Sequence, residues 1–162
     1  MTARPFLAPA MALLLGGCGP GEETVRDIVR NELAMAMKRQ AITNVNVIGP
    51  YSPAIRVGDF LFVSGQIALD QATGAMKQET MEIETRQVLN NVMSILRSQG
   101  FDSSHVVSAT VYLKNMKDYA AVNATYAEYF REQEYPARVA VEVAALPRQA
   151  NIEIAVIAYK SR

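Results

Sequence analysis

Five short β-type runs are split by two helical stripes, and the order of these seven segments constrains the fold more than any other feature of the chain. Ala54–Val57 and Phe60–Gln66 flank Gly58-Asp59, a two-residue link between apolar runs that predicts a hairpin. Residues 79–98 carry Met81, Val88, Leu89, Val92, Ile95 and Leu96 at helical spacing, with Gly100 as a stop signal. Residues 105–113 are β-branched and apolar and predict a strand. Residues 116–132 predict a second helix, with Tyr119, Val122, Tyr126, Tyr129 and Phe130 on its apolar side, ended before Pro136. Residues 138–144 and 151–159 predict two closing strands. The order ββαβαββ predicts an α+β domain with both helices on one face of a mixed sheet.

The N-terminus predicts export. Arg4 precedes an apolar stretch over 6–15, which is too short to span a bilayer but suits a signal segment. Leu15-Gly16-Gly17-Cys18 follows and looks like a bacterial lipobox. Small residues let extended backbone enter a peptidase cleft, and the Cys18 thiol accepts the lipid. The alternative is a small core cysteine after an unstructured tail. The expected division is 1–17 signal peptide, 18–47 tether and amphipathic helix, and 48–162 globular domain. A helix is expected at about 25–39. It either docks on the domain or lies on a membrane surface beside the anchor. The expected location is the periplasmic side of a bacterial membrane, with the outer membrane as default because Gly19 is not acidic. Cys18 is the single cysteine, so no intrachain disulfide forms.

Sixteen basic and sixteen acidic residues balance, which gives no field to attract nucleic acid. One histidine and one cysteine leave no metal cluster and no Cys–His or Ser–His dyad. Strand parity marks the candidate site. In 138–144, Val139, Val141 and Val143 are expected to face the helices; Arg138, Ala140, Glu142 and Ala144 take the other face. In 151–157, Ile152, Ile154 and Val156 face the helices and Glu153 the other side. Arg138 and Glu153 are therefore expected to share a hollow on the non-helical face, which the small apolar residues there suggest is covered by another subunit. An arginine forks onto a carboxylate, and a glutamate can activate water. The pair could equally be a plain ion pair.

Several segments carry a resemblance. Ile48-Gly49-Pro50-Tyr51-Ser52-Pro53-Ala54, Phe62-Val63-Ser64-Gly65-Gln66, Val122-Asn123-Ala124-Thr125-Tyr126, the run 136–147 around Arg138 and the run 152–158 around Glu153 resemble, in order, the reactive intermediate deaminase (Rid, or YjgF) family. The resemblance implies a chorismate-mutase-like fold, a homotrimer with pockets between subunits, and hydrolysis of small 2-imino acids to 2-keto acids and ammonia without a cofactor. It implies that Arg138 binds the substrate carboxylate and Glu153 polarises water. Tyr51, Ser64, Gly65 and Asn123 would shape the pocket, and the backbone of Ala140, which stands where the family often has cysteine, would contact substrate. Each residue has a structural alternative: a packed turn aromatic for Tyr51, backbone satisfaction for Ser64, a cap for Asn123. A non-catalytic trimeric carboxylate-binding or chaperone-like module is the alternative for the whole protein.

Overall fold

The computed structural model describes residues 22–43, 45 and 47–161, so the leader and Cys18 lie outside the described residues. The chain divides into two compact units, residues 1–38 and 39–162. In the first, α1 (Glu22–Ala36) is a helix, three residues earlier at each end than its apolar spacing predicts. Val25, Ile28, Val29, Leu33 and Met35 on it are exposed.

The second unit holds one six-stranded sheet. Its strands are β1 (Gln40–Ile42), β2 (Ala54–Val57), β3 (Phe60–Gln66), β4 (Val106–Leu113), β5 (Ala137–Glu142) and β6 (Ile152–Tyr159). They lie in the order β1-β2-β3-β6-β4-β5. Only β4 and β5 run parallel; every other pair is antiparallel. The β2–β3 turn forms as predicted, with Gly58 at φ 58°, a conformation that favours glycine. β1 is an addition: three residues are too few for a periodicity to register, and the sheet therefore begins before residue 48.

Helix α2 (Met81–Ser98) begins where the Thr80 hydroxyl accepts the Ile83 amide at 3.2 Å, and it ends before Gly100 at φ 77°. Its stripe of Val88, Leu89, Val92, Ile95 and Leu96 is buried against Leu61, Val111, Ile152, Ile154 and Val156 of the sheet. Helix α3 (Tyr119–Ala127) is shorter than predicted, because 3₁₀ turns take its two flanks at Met116–Asp118 and Glu132–Glu134. Val122, Tyr126 and Phe130 enter the core, while Tyr119 stays at the rim.

One expected face is reversed. Along β5, Arg138 pairs with Ala109 and Ala140 with Val111, which belong to the buried, helix-facing row of β4. Arg138 and Ala140 therefore sit on the helix side. Val139 and Val141 point the other way and are 52% and 38% exposed. Valines at alternate positions report a pleated apolar surface, not which face is covered. β5 is an edge strand, so its register to β4 alone decides. On β6 the parity is as expected: Ile152, Ile154 and Val156 face the helices and Glu153 the open side.

Candidate functional site

The reversal of β5 separates the two residues that were expected to share a hollow. Arg138 lies in a cavity of about 510 Å³ between β5 and α3, lined by Tyr119, Asn123, Tyr126, Tyr135 and Ala140 among others. Glu153 lies in a second cavity of about 470 Å³, lined by Gly49, Pro50, Tyr51, Ser64, Gly65 and Pro147 among others. The two share no lining residue. The expectation that Arg138 and Glu153 converge within one chain is thus corrected: they occupy opposite faces of one sheet.

Helical spacing builds the first half. Tyr119, Asn123 and Tyr126 stand at i, i+4 and i+7 on α3 and so form one stripe. That stripe looks down on Arg138. The guanidinium Nη2 donates to Asn123 Oδ1 at 2.7 Å and to Tyr119 Oη at 3.1 Å. Its Cζ lies 4.7 Å from the Tyr126 ring centre and 5.6 Å from that of Tyr119. Tyr126 in turn stacks on Phe130, with centroids 4.6 Å apart. Among the described residues no carboxylate pairs with Arg138, so its charge is steered by neutral acceptors and ring faces. The Asn123 amide, and after it the guanidinium, lower the proton affinity of the Tyr119 phenol. Burial pushes the Tyr126 phenol up to about 12, against the pull of Arg138.

A bulge builds the second half. Val63 pairs with Val156, but Gln66 pairs with Ile154, so β3 carries one extra residue at Ser64-Gly65. The extra length opens the ladder where Glu153 leans across. A Cβ on Gly65 would lie 1.8 Å from Glu153 Oε1, which only glycine avoids. Ser64 Oγ donates to the Ser52 carbonyl at 2.7 Å, and Ser64 N donates to the Pro53 carbonyl at 3.0 Å. These bonds clip the 48–53 turn onto β3. They give the Ser64 hydroxyl the backbone-satisfying role, at the wall of the cavity. Tyr51 stays exposed on that turn. The Glu153 carboxyl is half-buried, and desolvation raises its proton affinity above the ordinary glutamate value. Among the described residues it has no cation beside it.

The predicted site residues therefore divide. Arg138, Asn123 and Ala140 line one cavity; Glu153, Tyr51, Ser64 and Gly65 line the other. Cys18 lies outside the described residues. Glu142 accepts the amide of Met116, at the start of the 116–118 turn, at 2.7 Å, and His105 pairs with Asp102 in its own turn, so both have structural partners. Among the described residues, no group of three or more His, Cys, Asp or Glu could hold a metal ion.

Two features escaped the sequence reading. Tyr119 and Tyr126 read as the plain apolar side of their helix, so their place beside the pocket residue Asn123 was missed. Glu84, a carboxylate only 1% exposed, accepts both the backbone N–H and the side-chain amide of Asn151 at 2.8 Å. It fixes the start of β6 two residues before Glu153. Nothing in an amphipathic helix pattern distinguishes such an inward acid from a surface one.

A mixed sheet with helices on one face, a bulged third strand and clefts at both faces defines an α+β fold of the YjgF-like type. The E. coli YjgF gene product superposes with a TM-score of 0.71 at 36% identity, covering 75% of this chain and 99% of that one. The family model described as Endoribonuclease L-PSP matches residues 41–160. A RutC family protein of Pyrococcus horikoshii is 52% identical over 113 residues, 70% of this chain and 89% of that protein. A 2-iminobutanoate/2-iminopropanoate deaminase of Capra hircus is 42% identical over 111 residues, 68% of this chain and 80% of that protein. The chain belongs to the Rid/YjgF family.

Proposed function

We propose that this protein hydrolyses small 2-imino acids and their enamine tautomers, of the 2-iminopropanoate and 2-iminobutanoate kind, at sites that two copies of the chain complete. The observation that carries this reading is the division of the site. An arginine and a glutamate that have no partner of opposite charge among the described residues sit in separate open pockets, each holding half of what the reaction needs. The kinship with the Capra hircus deaminase supports the substrate class. The exposed Phe62, Val139 and Val141 on the open sheet face support assembly, in the homotrimer the family resemblance implies.

In this reading Arg138 of one copy holds the substrate carboxylate through N–H groups that Tyr119 and Asn123 leave unused. Glu153 of the neighbour holds a water against the imine carbon. The carboxylate takes a proton from that water as the C–O bond forms, and the C=N electron pair moves onto nitrogen, which takes up a proton from solvent. The resulting carbinolamine collapses. Its hydroxyl proton is lost to solvent, the carbonyl forms, and Glu153 returns its proton to the departing ammonia. One water is consumed, and one 2-keto acid and one ammonia are released. A carboxyl with raised proton affinity suits both halves of this cycle. The imine carbon is already electrophilic, so placing the water and fixing the carboxylate supply most of the catalysis.

The direct test generates 2-iminopropanoate in situ with an amino-acid oxidase and follows loss of the imine. Acceleration over the uncatalysed hydrolysis is expected; an unchanged rate removes the proposal. The proposal extends to location: Cys18 carries lipid and anchors the protein to a bacterial membrane on its periplasmic side. Partition of the full-length protein into detergent phase, lost in Cys18→Ala, is the expected result.

A further inference from the structure

We propose that Tyr126 is a positioning residue for Arg138, and that it acts through the face of its ring rather than through its hydroxyl. This rests on the reading of Arg138 as the carboxylate-binding group. The geometry is a stack. Phe130 lies against Tyr126, and the Tyr126 ring lies 4.7 Å from the Arg138 Cζ. Tyr126 is 4% exposed, and its hydroxyl oxygen is buried with no hydrogen-bond partner among the described residues. A hydroxyl that reaches neither solvent nor a partner has no contact to offer the substrate. What faces the cation is the ring.

The stack answers a problem that Arg138 poses. Its guanidinium stands at the end of a flexible stem on an edge strand, with no carboxylate beside it among the described residues. Both polar contacts come from one nitrogen, Nη2, to Tyr119 and Asn123. They hold one end of the fork and leave the N–H groups of Nη1 and Nε without an acceptor among the described residues. A ring face within cation–π distance steadies the rest of the group, and it does so without consuming an N–H group. Because Tyr126 is wedged between α3 and the core, its own rotamer is held by packing. The plane of the fork is thereby set before substrate arrives, which lowers the ordering cost of binding.

The test compares Tyr126→Phe with Tyr126→Leu in the full-length protein, with 2-iminopropanoate generated in situ. Tyr126→Phe keeps the ring face and is expected to leave kcat and KM within about twofold of the parent. Tyr126→Leu removes it and is expected to raise KM about tenfold, with kcat changed far less. A Phe variant as impaired as the Leu variant overturns the inference, because the hydroxyl would then carry the effect. So does a Leu variant with an unchanged KM, or one whose loss lies in kcat alone. If Tyr126→Leu does not fold, Tyr126→Met, which fills the space without a ring face, takes its place and is held to the same outcomes. Arg138→Ala is measured beside them. A normal KM in Arg138→Ala sinks the reading of Arg138 itself, whereas a raised KM there with a normal KM in Tyr126→Leu sinks only the positioning role.

Discussion

The two cavities differ in how much of their geometry the chain itself determines. Around Arg138, a helical stripe supplies two hydrogen-bond acceptors and two ring faces, so the cation is held before any ligand arrives. Around Glu153, one glycine makes room, a bulge opens the ladder, and among the described residues no cation pairs with the carboxyl group. In the proposed reading the first pocket binds and the second exchanges a proton. A rigid cation gives register to a carboxylate, while a half-desolvated acid keeps a raised proton affinity. The lesson is that, for the proposed hydrolysis, each cavity lacks what the other supplies.

The sharpest break between the two should appear in kinetics. Glu153→Gln is expected to lower kcat by about 10²–10⁴-fold with KM little changed, since a general base acts in the transition state. Arg138→Ala is expected to lower kcat/KM by about 10–100-fold, chiefly through KM, from loss of a charge-assisted contact. Steady-state rates on in-situ 2-iminopropanoate check both. If the two variants show the same split between kcat and KM, the comparison collapses.

Gly65→Ala comes next. The new methyl cannot coexist with Glu153 Oε1 at 1.8 Å, so the carboxyl must swing away. A loss of about tenfold or more in kcat with the fold retained is expected, read by activity and by circular dichroism. Smaller still, Asn123→Ala and Tyr119→Phe each remove one of two acceptors from the same nitrogen. Each is expected to raise KM by a few-fold, about 1 kcal/mol per lost contact.

The pH profile sharpens the comparison in a different way. Glu153 must be ionised to act as a base, so activity rises with pH through its folded value, which lies above that of an ordinary glutamate. The acid limb of kcat/KM should accordingly stand above the ordinary glutamate value, and it should vanish in Glu153→Gln. Stability moves the opposite way. The folded state favours the protonated carboxyl, so this contribution is present below the unfolded value and lost as pH rises through the folded one.

Much of this architecture was legible in the sequence. The β2–β3 hairpin followed from Gly58-Asp59, the α2 stripe from its spacing, and the parity of β6 from Ile152, Ile154 and Val156. The face of β5 was not legible, because alternating valines satisfy either side of a pleat and an edge strand takes its register from a single neighbour. The length of α3 was overread because Tyr129 and Phe130 continue an apolar pattern after the backbone has left the α-helix. Arg138 and Glu153 were marked by strand parity and the other site residues by resemblance to the family, but their separation into two cavities depended on the β5 register. Glu84 was invisible for the reason that inward and outward acids look alike on a helix.

The claim that two copies make one site is tested most directly by mixing Arg138→Ala with Glu153→Gln subunits, after dissociation and reassembly. Assayed with substrate well below KM, each variant alone is expected to be at least about tenfold down. In a ring whose sites take the arginine from one copy and the glutamate from the next, random mixing restores about a quarter of the sites. Recovery of activity near that level is the predicted result. No recovery from a mixture shown to contain mixed oligomers would contradict the account.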